Sequence, residues 1–280
     1  MRLVTALAFA LALAGALPAA AGTLDRIKES GTVRFGFRED AAPLSYRGPG
    51  GQPAGYSVLI CGAVAERLAM QLGTAELTVE WVPVTTTDRF DAVAEGRIDL
   101  LCGAASITLS RRAQVDFSLP TFVDGAAVLL RKDADPNFDA LRDKKIGVRV
   151  GTSTEETLRN TLKAKAMPAS VVTFEDHGAG LAALEAREID AYFGDQSILF
   201  GLFFESDLSE ELAVSENTLT IEKQGLALAR GDSDFRLAVD RAVSDLYVSG
   251  KMTEFFKAAF PGASPGVALR ALFLLGPDMP

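Results

Sequence analysis

The side chains able to do chemistry in this chain gather just after short apolar runs. Arg38-Glu39-Asp40 follows residues 33–37, and the threonine-rich stretch from Pro83 through Thr86 to Arg89 follows 78–82. Gly103 to Arg112, carrying Ser106 and Arg111, follows 98–102; Gly151-Thr152-Ser153-Thr154 follows 146–150; Gly194-Asp195 follows 189–193. A hydroxyl-rich turn that opens a helix leaves free N–H groups, and the helix dipole adds to them in favouring a carboxylate. Each piece also has an ordinary structural reading. Gly151 to Thr154 is a good helix cap, Asp195 caps the segment 196–204 equally well, and an arginine at a strand end is usually a solvated surface group. His177 next to Gly178 reads first as a structural hydrogen-bonding loop residue. Four arginines at such ends, Arg38, Arg89, Arg111 and Arg112, tip the balance towards a site for an anion.

The elements that must position these groups follow from periodicity. β-rich runs fall at 33–37, 78–82, 98–102, 126–130, 146–150, 171–174, 189–193 and 225–229, with helical patterns between most of them. Cys61, Val64, Leu68 and Leu72 lie on one face of a helix predicted over 57–72, with Gly73 at its C-cap. Strands alternating with helices predict mostly parallel α/β sheets, in which ligands bind outside the carboxyl ends of the strands. A helix followed by Ile98-Asp99 and Gly103, and another followed by Ile189-Asp190 and Gly194, hint at two similarly built lobes.

With 280 residues the chain is expected to form two domains or one large one, and 48% hydrophobic with 23% charged residues is a globular composition. The net charge of −9 has the wrong sign for a nucleic-acid partner. Arg2, the uncharged run Leu3 to Leu17, Pro18 and Ala19-Ala20-Ala21 predict a signal peptide over 1–21, cleaved after Ala21, because the run is too short to span a bilayer. Cys61 and Cys102, an even pair in an oxidising compartment, predict a disulfide, with two buried free thiols as the alternative. Their spacing and the single histidine match no zinc site. No metal or cofactor is expected.

Taken in order, these motifs resemble the periplasmic amino-acid-binding proteins of ABC importers, the bacterial extracellular solute-binding proteins of family 3. The marks are Leu24 to Gly31, Gly55-Tyr56-Ser57-Val58, Ser106-Ile107-Thr108 with Arg111, Asp116 to Pro120, Gly147 through Thr152, and Ile189-Asp190-Ala191 followed by Asp195. The resemblance implies the type II two-lobed α/β fold with a ligand cleft. Lobe 1 is expected from 22–121 plus 226–280, lobe 2 from 126–220, and hinges near 121–126 and 220–226. It assigns Arg111, Ser106 and the amides around Ser153 to the α-carboxylate and Asp195 to the α-ammonium, a division that suits paired guanidinium donors and an ionised acceptor. The stretch Arg38 to Tyr46, Thr86 with Arg89, and Asp176-His177-Gly178 resemble the glutamate/aspartate-binding members. There, residues matching Arg38, Thr86, Arg89 and His177 surround the side-chain carboxylate, which makes His177 a ligand candidate whose protonated form that carboxylate is expected to favour, strengthening binding from about pH 8 to 6. Ala41 departs from the aromatic that many members place over the ligand, leaving Tyr56 as the expected aromatic wall, and Ala104 replaces a hydroxyl.

The implied function is capture of L-glutamate or L-aspartate by a periplasmic monomer that delivers it to an inner-membrane ABC permease. Two alternatives share the fold. An exported cyclohexadienyl-type dehydratase would use Glu39, Asp195 or His177 as a general acid, and a sensor subunit would present the bound ligand to a receptor. The chain shows no nucleophile-base constellation, metal set or nucleotide loop, so it is expected not to be an enzyme.

Overall fold

The computed structural model describes residues 22–215 and 217–278; the leader reading falls on residues 1–21, outside them. In chain order, helix α1 (Thr23–Ser30) precedes β1 (Thr32–Arg38), a small three-stranded flap of β2 (Asp40–Ala41), β3 (Ser45–Arg47) and β4 (Pro53–Ala54), and then α2 (Tyr56–Leu72). β5 (Thr78–Val84), α3 (Arg89–Ala94), β6 (Leu100–Cys102), α4 (Leu109–Arg112) and the long β7 (Val115–Asp124) follow. The chain then builds β8 (Ala126–Arg131), β9 (Lys145–Arg149), α5 (Ser153–Ala164), β10 (Ser170–Phe174), α6 (His177–Glu185), β11 (Ala191–Asp195), α7 (Gln196–Glu205) and β12 (Leu212–Val214). It returns through β13 (Glu222–Ala229) to the helices α8 (Ser233–Val248), α9 (Lys251–Ala259) and α10 (Val267–Leu275).

The strands form two five-stranded sheets, ordered β5-β1-β6-β13-β7 and β10-β9-β11-β8-β12, the centres of two α/β lobes. Three neighbouring strands of each sheet are parallel, as the alternating pattern predicts, while β13 and β8 run antiparallel to theirs. The chain crosses between the sheets twice, from β7 to β8 and from β12 to β13. The crossings touch: the Ala126 N–H donates to Thr220 Oγ1 at 2.9 Å, and a Cβ at Gly125 would lie 2.2 Å from the Thr220 carbonyl oxygen. Only glycine fits there.

The helices fold for legible reasons. Val64, Leu68 and Cys61 bury one face of α2, and Gly73 ends it in the left-handed conformation at φ 69°. Cys61 on this helix and Cys102 at the end of β6 form a disulfide, with their Cα atoms 6.1 Å apart. The bridge closes a loop of 41 residues, worth about 3–4 kcal/mol in the chain-entropy model. Replacing both cysteines by alanine is therefore expected to lower the ligand-free denaturation midpoint clearly, and an unchanged midpoint would show that the bridge adds no stability. No helix among the described residues is long and apolar enough to cross a membrane.

Candidate functional site

The carboxyl ends of the strands of both sheets meet at a narrow cavity between the lobes. Lobe 1 contributes Arg38 from the end of β1, Arg89 from the start of α3, and Ser106 and Arg111 from the segment leading through α4. Lobe 2 contributes Arg149 from the end of β9, Thr152, Ser153 and Thr154 from the start of α5, His177 from the start of α6, and Asp195 from the end of β11. Of the residues singled out from sequence, Arg38, Arg89, Ser106, Arg111, Ser153, His177 and Asp195 are thus brought together.

Backbone and side-chain contacts fix most of these groups. Thr108 caps α4 by accepting the Arg111 N–H, and the Arg111 guanidinium donates to the Ser106 carbonyl oxygen at 2.8 Å. Phe90 lies against both neighbouring cations, with the Arg89 and Arg111 guanidinium carbons 4.9 and 5.0 Å from its ring centre. Thr152 caps α5 by accepting the Glu155 N–H, so this turn is a cap as well as a cavity wall. Ser106 and Ser153 approach each other across the cleft, Oγ to Oγ at 3.1 Å, and Ser153 also donates to Glu222 at 2.9 Å. Asp195 accepts from Thr154 Oγ1 and Gln224 Nε2 at 2.9 and 3.0 Å.

His177 opens α6 rather than lying in a loop, behind the cap that Asp176 supplies to Ala179. Its Nδ1 lies 3.0 Å from the Tyr192 hydroxyl. Gly180 makes room for that tyrosine, since a Cβ there would fall 2.1 Å from the ring. Three buried polar atoms in this region, Thr86 Oγ1, Arg89 Nε and His177 Nε2, have no hydrogen-bond partner; Arg34 Nε, whose guanidinium is paired with Asp99, is the only other such atom among the described residues. An unpartnered buried polar atom costs about 1–3 kcal/mol, so three of them around one cavity mark where a polar ligand belongs.

Electrostatics separates the groups. Burial pushes the Arg89 guanidinium well below its ordinary value, and Arg111 and Arg38 push it further. Burial also pushes His177 down to about 3, helped by Arg38 and Arg149. Without ligand the imidazole is neutral, because it is buried beside the guanidiniums of Arg38, Arg149 and Arg89 with Asp40 as the opposing carboxylate. Asp195 shifts the other way, raised by burial and by the nearby Glu222 carboxylate. Asp124 at the first crossing, which accepts from the Ser197 hydroxyl, is raised to about 7 by burial and by Asp195.

Tyr56 is the clear departure from expectation. It is 0% exposed inside the core of lobe 1, with its hydroxyl donating to the Thr121 carbonyl oxygen at 3.0 Å and its ring against Phe122 and Phe260. It walls no ligand. As the first residue of α2 it points inward, and its apolar ring is buried with the rest of that face. Thr86 sits at the edge of the site beside Gly151, not among the lining residues.

Sequence reasoning names the segments holding Asp40 and Thr154 without giving either a role of its own, and misses Arg149, Glu222 and Gln224. Arg149 does leave a signal, a charge inside the apolar run 146–150 that a strand buried on both faces does not tolerate without a partner.

Two lobes enclosing a cavity with fixed cations, a buried acid and unpartnered polar atoms define a protein that closes around a small charged solute. The chain belongs to the bacterial extracellular solute-binding proteins, family 3, whose profile matches residues 33–262. It is 31% identical over 260 residues, 92% of this chain and 86% of the relative, to an L-glutamate/L-aspartate-binding protein of Pseudomonas aeruginosa. A glutamate/aspartate import solute-binding protein of Escherichia coli is 29% identical over 94% of this chain and 88% of its own length. Among solved structures, an ancestral amino-acid-binding protein described as a precursor of cyclohexadienyl dehydratase superposes with a TM-score of 0.74 at 26% identity, over 86% of this chain and all of the other. The named relatives are solute-binding proteins.

Proposed function

We propose that this chain binds L-glutamate or L-aspartate and presents it to an inner-membrane ABC permease, working as a monomer in the periplasm after removal of residues 1–21. The observation that carries the ligand is the charge of the cavity. Arg38 and Arg149 are paired with Asp40, and Arg149 also with Glu175, whereas Arg89 and Arg111 have no carboxylate at salt-bridge distance among the described residues. A ligand with two carboxylates supplies a partner to each; a neutral amino acid would leave one guanidinium unpaired in a closed cleft. Arg111 and Ser106 take the α-carboxylate, Asp195 the ammonium, and Arg38, Thr86, Arg89 and His177 the side chain. The crossings near 121–126 and 220–226 act as hinges between lobe 1 (22–121 with 226–280) and lobe 2 (126–220).

Calorimetry with the common amino acids tests the reading. Binding of glutamate or aspartate far tighter than glutamine or asparagine is expected. Tight binding of a neutral or basic amino acid, with none of the acidic pair, overturns it.

The same assignment sets the pH dependence. Asp195 must be ionised to accept the ammonium, yet in the free protein burial holds it above the usual carboxylate range. Ligand binding therefore releases protons, and affinity falls as pH falls through the raised Asp195 value. His177, at about 3 in the free protein, supplies an opposing gain between 8 and 6 only where the bound carboxylate raises it into that range. Titrations at several pH values in buffers of different ionisation enthalpy read both slope and proton release. Affinity that rises towards pH 6, and stops doing so in His177→Gln, would restore an imidazolium to the site.

A further inference from the structure

Asp40 lies in the flap of lobe 1, and its carboxylate joins two cavity arginines from opposite lobes. Its Oδ1 accepts from Arg38 Nε at 2.9 Å and from the Arg38 terminal nitrogen at 2.5 Å, within lobe 1. Its Oδ2 accepts from Arg149 Nε at 3.0 Å, across the cleft. Arg149 is anchored on its own side by donating to the Phe174 carbonyl oxygen at 3.2 Å, and is 4% exposed. The flap is seated on lobe 2 at a second point, because the Ala42 carbonyl oxygen would lie 2.7 Å from a Cβ at Gly201 of α7.

Two consequences follow from this arrangement. The Asp40–Arg149 pair exists only while the lobes are together; opening returns Arg149 to water but leaves Asp40 with Arg38. Arg38 is also fixed: Asp40 takes its Nε and one terminal nitrogen, and the guanidinium stays in the wall of the cavity.

We propose that Asp40 and Arg149 are positioning residues of the ligand site, a bridge across the cleft that holds the closed form and fixes the Arg38 guanidinium in the cavity wall. The inference rests on the reading of the cavity as an acidic amino-acid site. A bridge made only in the closed form raises affinity by shifting the lobes towards closure, whatever the ligand's side chain. Removing it weakens every ligand by one factor. Removing a group that touches the side-chain carboxylate weakens one ligand selectively.

The test compares Asp40→Asn, Arg149→Met, their combination and Arg149→Lys, with affinities for glutamate and glutamine and with dissociation rates by stopped flow. Each single change is expected to weaken both ligands equally, on the order of tenfold for a half-buried ion pair, through faster dissociation at an unchanged association rate. The double variant should be no weaker than the poorer single one, and Arg149→Lys should recover part of the loss. Ligand-free melting of the Arg149 variants should stay close to the wild-type value, while Asp40→Asn also loses its pair with Arg38 inside lobe 1 and is read by its dissociation rates. Asp40→Asn is nearly isosteric and carries the test alone if Arg149→Met does not fold. Loss confined to glutamate in the Arg149 or Asp40 variants, or no loss at all, overturns the bridge. Failure of the wild-type protein to bind either acidic amino acid would strike the proposed ligand instead, and equal weakening would then be read on whichever amino acid it does bind.

Discussion

Arg111→Ala is expected to abolish binding of every amino acid the protein takes. The α-carboxylate is common to all of them, and Arg111 is the cation placed for it: its backbone is capped by Thr108, its guanidinium is held by the Ser106 carbonyl oxygen, and its flank rests on Phe90. Alanine would remove the fork while leaving the carboxylate to be desolvated on closure. Truncating one partner of a buried, hydrogen-bonded charge pair costs about 2–5 kcal/mol, so at about 1.4 kcal/mol per tenfold change the loss reaches two to three decades. Arg111→Lys should recover only part of it, because an ammonium is a point charge without the paired planar donors that match a carboxylate. Calorimetry with glutamate and glutamine side by side reads the result. A loss restricted to glutamate would move Arg111 from the α-carboxylate to the side chain.

How much of the fold and the site is legible in the sequence depends on the signal each residue carries. The strands announce themselves as short apolar runs, and seven of the nine ligand candidates line the cavity because α/β sheets bring their carboxyl ends to a common edge. Arg149 stays hidden for the opposite reason. It falls inside a strand run, and neither its identity nor its spacing shows that Asp40, more than a hundred positions earlier, supplies its counter-charge across a cleft. Tyr56 misleads because an aromatic at the start of a helix can face either the ligand or the core, and only packing against Phe122 and Phe260 decides. The charge state of His177 is invisible too. A sequence places the histidine and the arginines but not their mutual distances, and burial beside three guanidiniums is what turns an ordinary imidazole into a neutral one.

The selectivity of the site should rest on Arg89. It is 2% exposed; one terminal nitrogen donates to the Ala104 carbonyl oxygen at 3.0 Å and the other approaches the Gly151 carbonyl oxygen of the opposite lobe at 3.5 Å. Its Nε has no partner, and no carboxylate among the described residues pairs with it, unlike Arg38 and Arg149. A buried cation in that state is costly until an anion arrives, and the cost is recovered only by a ligand that carries one. Arg89→Met, which keeps much of the volume and removes the charge, should therefore cost glutamate about two to three decades by the same arithmetic. Glutamine should lose little or even gain, because its neutral amide no longer faces an unpaired guanidinium. The ratio of the two affinities is the quantity to measure, with ligand-free melting as the control for folding. Equal losses for both ligands would show that Arg89 acts through its contact with Gly151, as part of lobe closure, and the discrimination would have to be sought at Thr86 and His177.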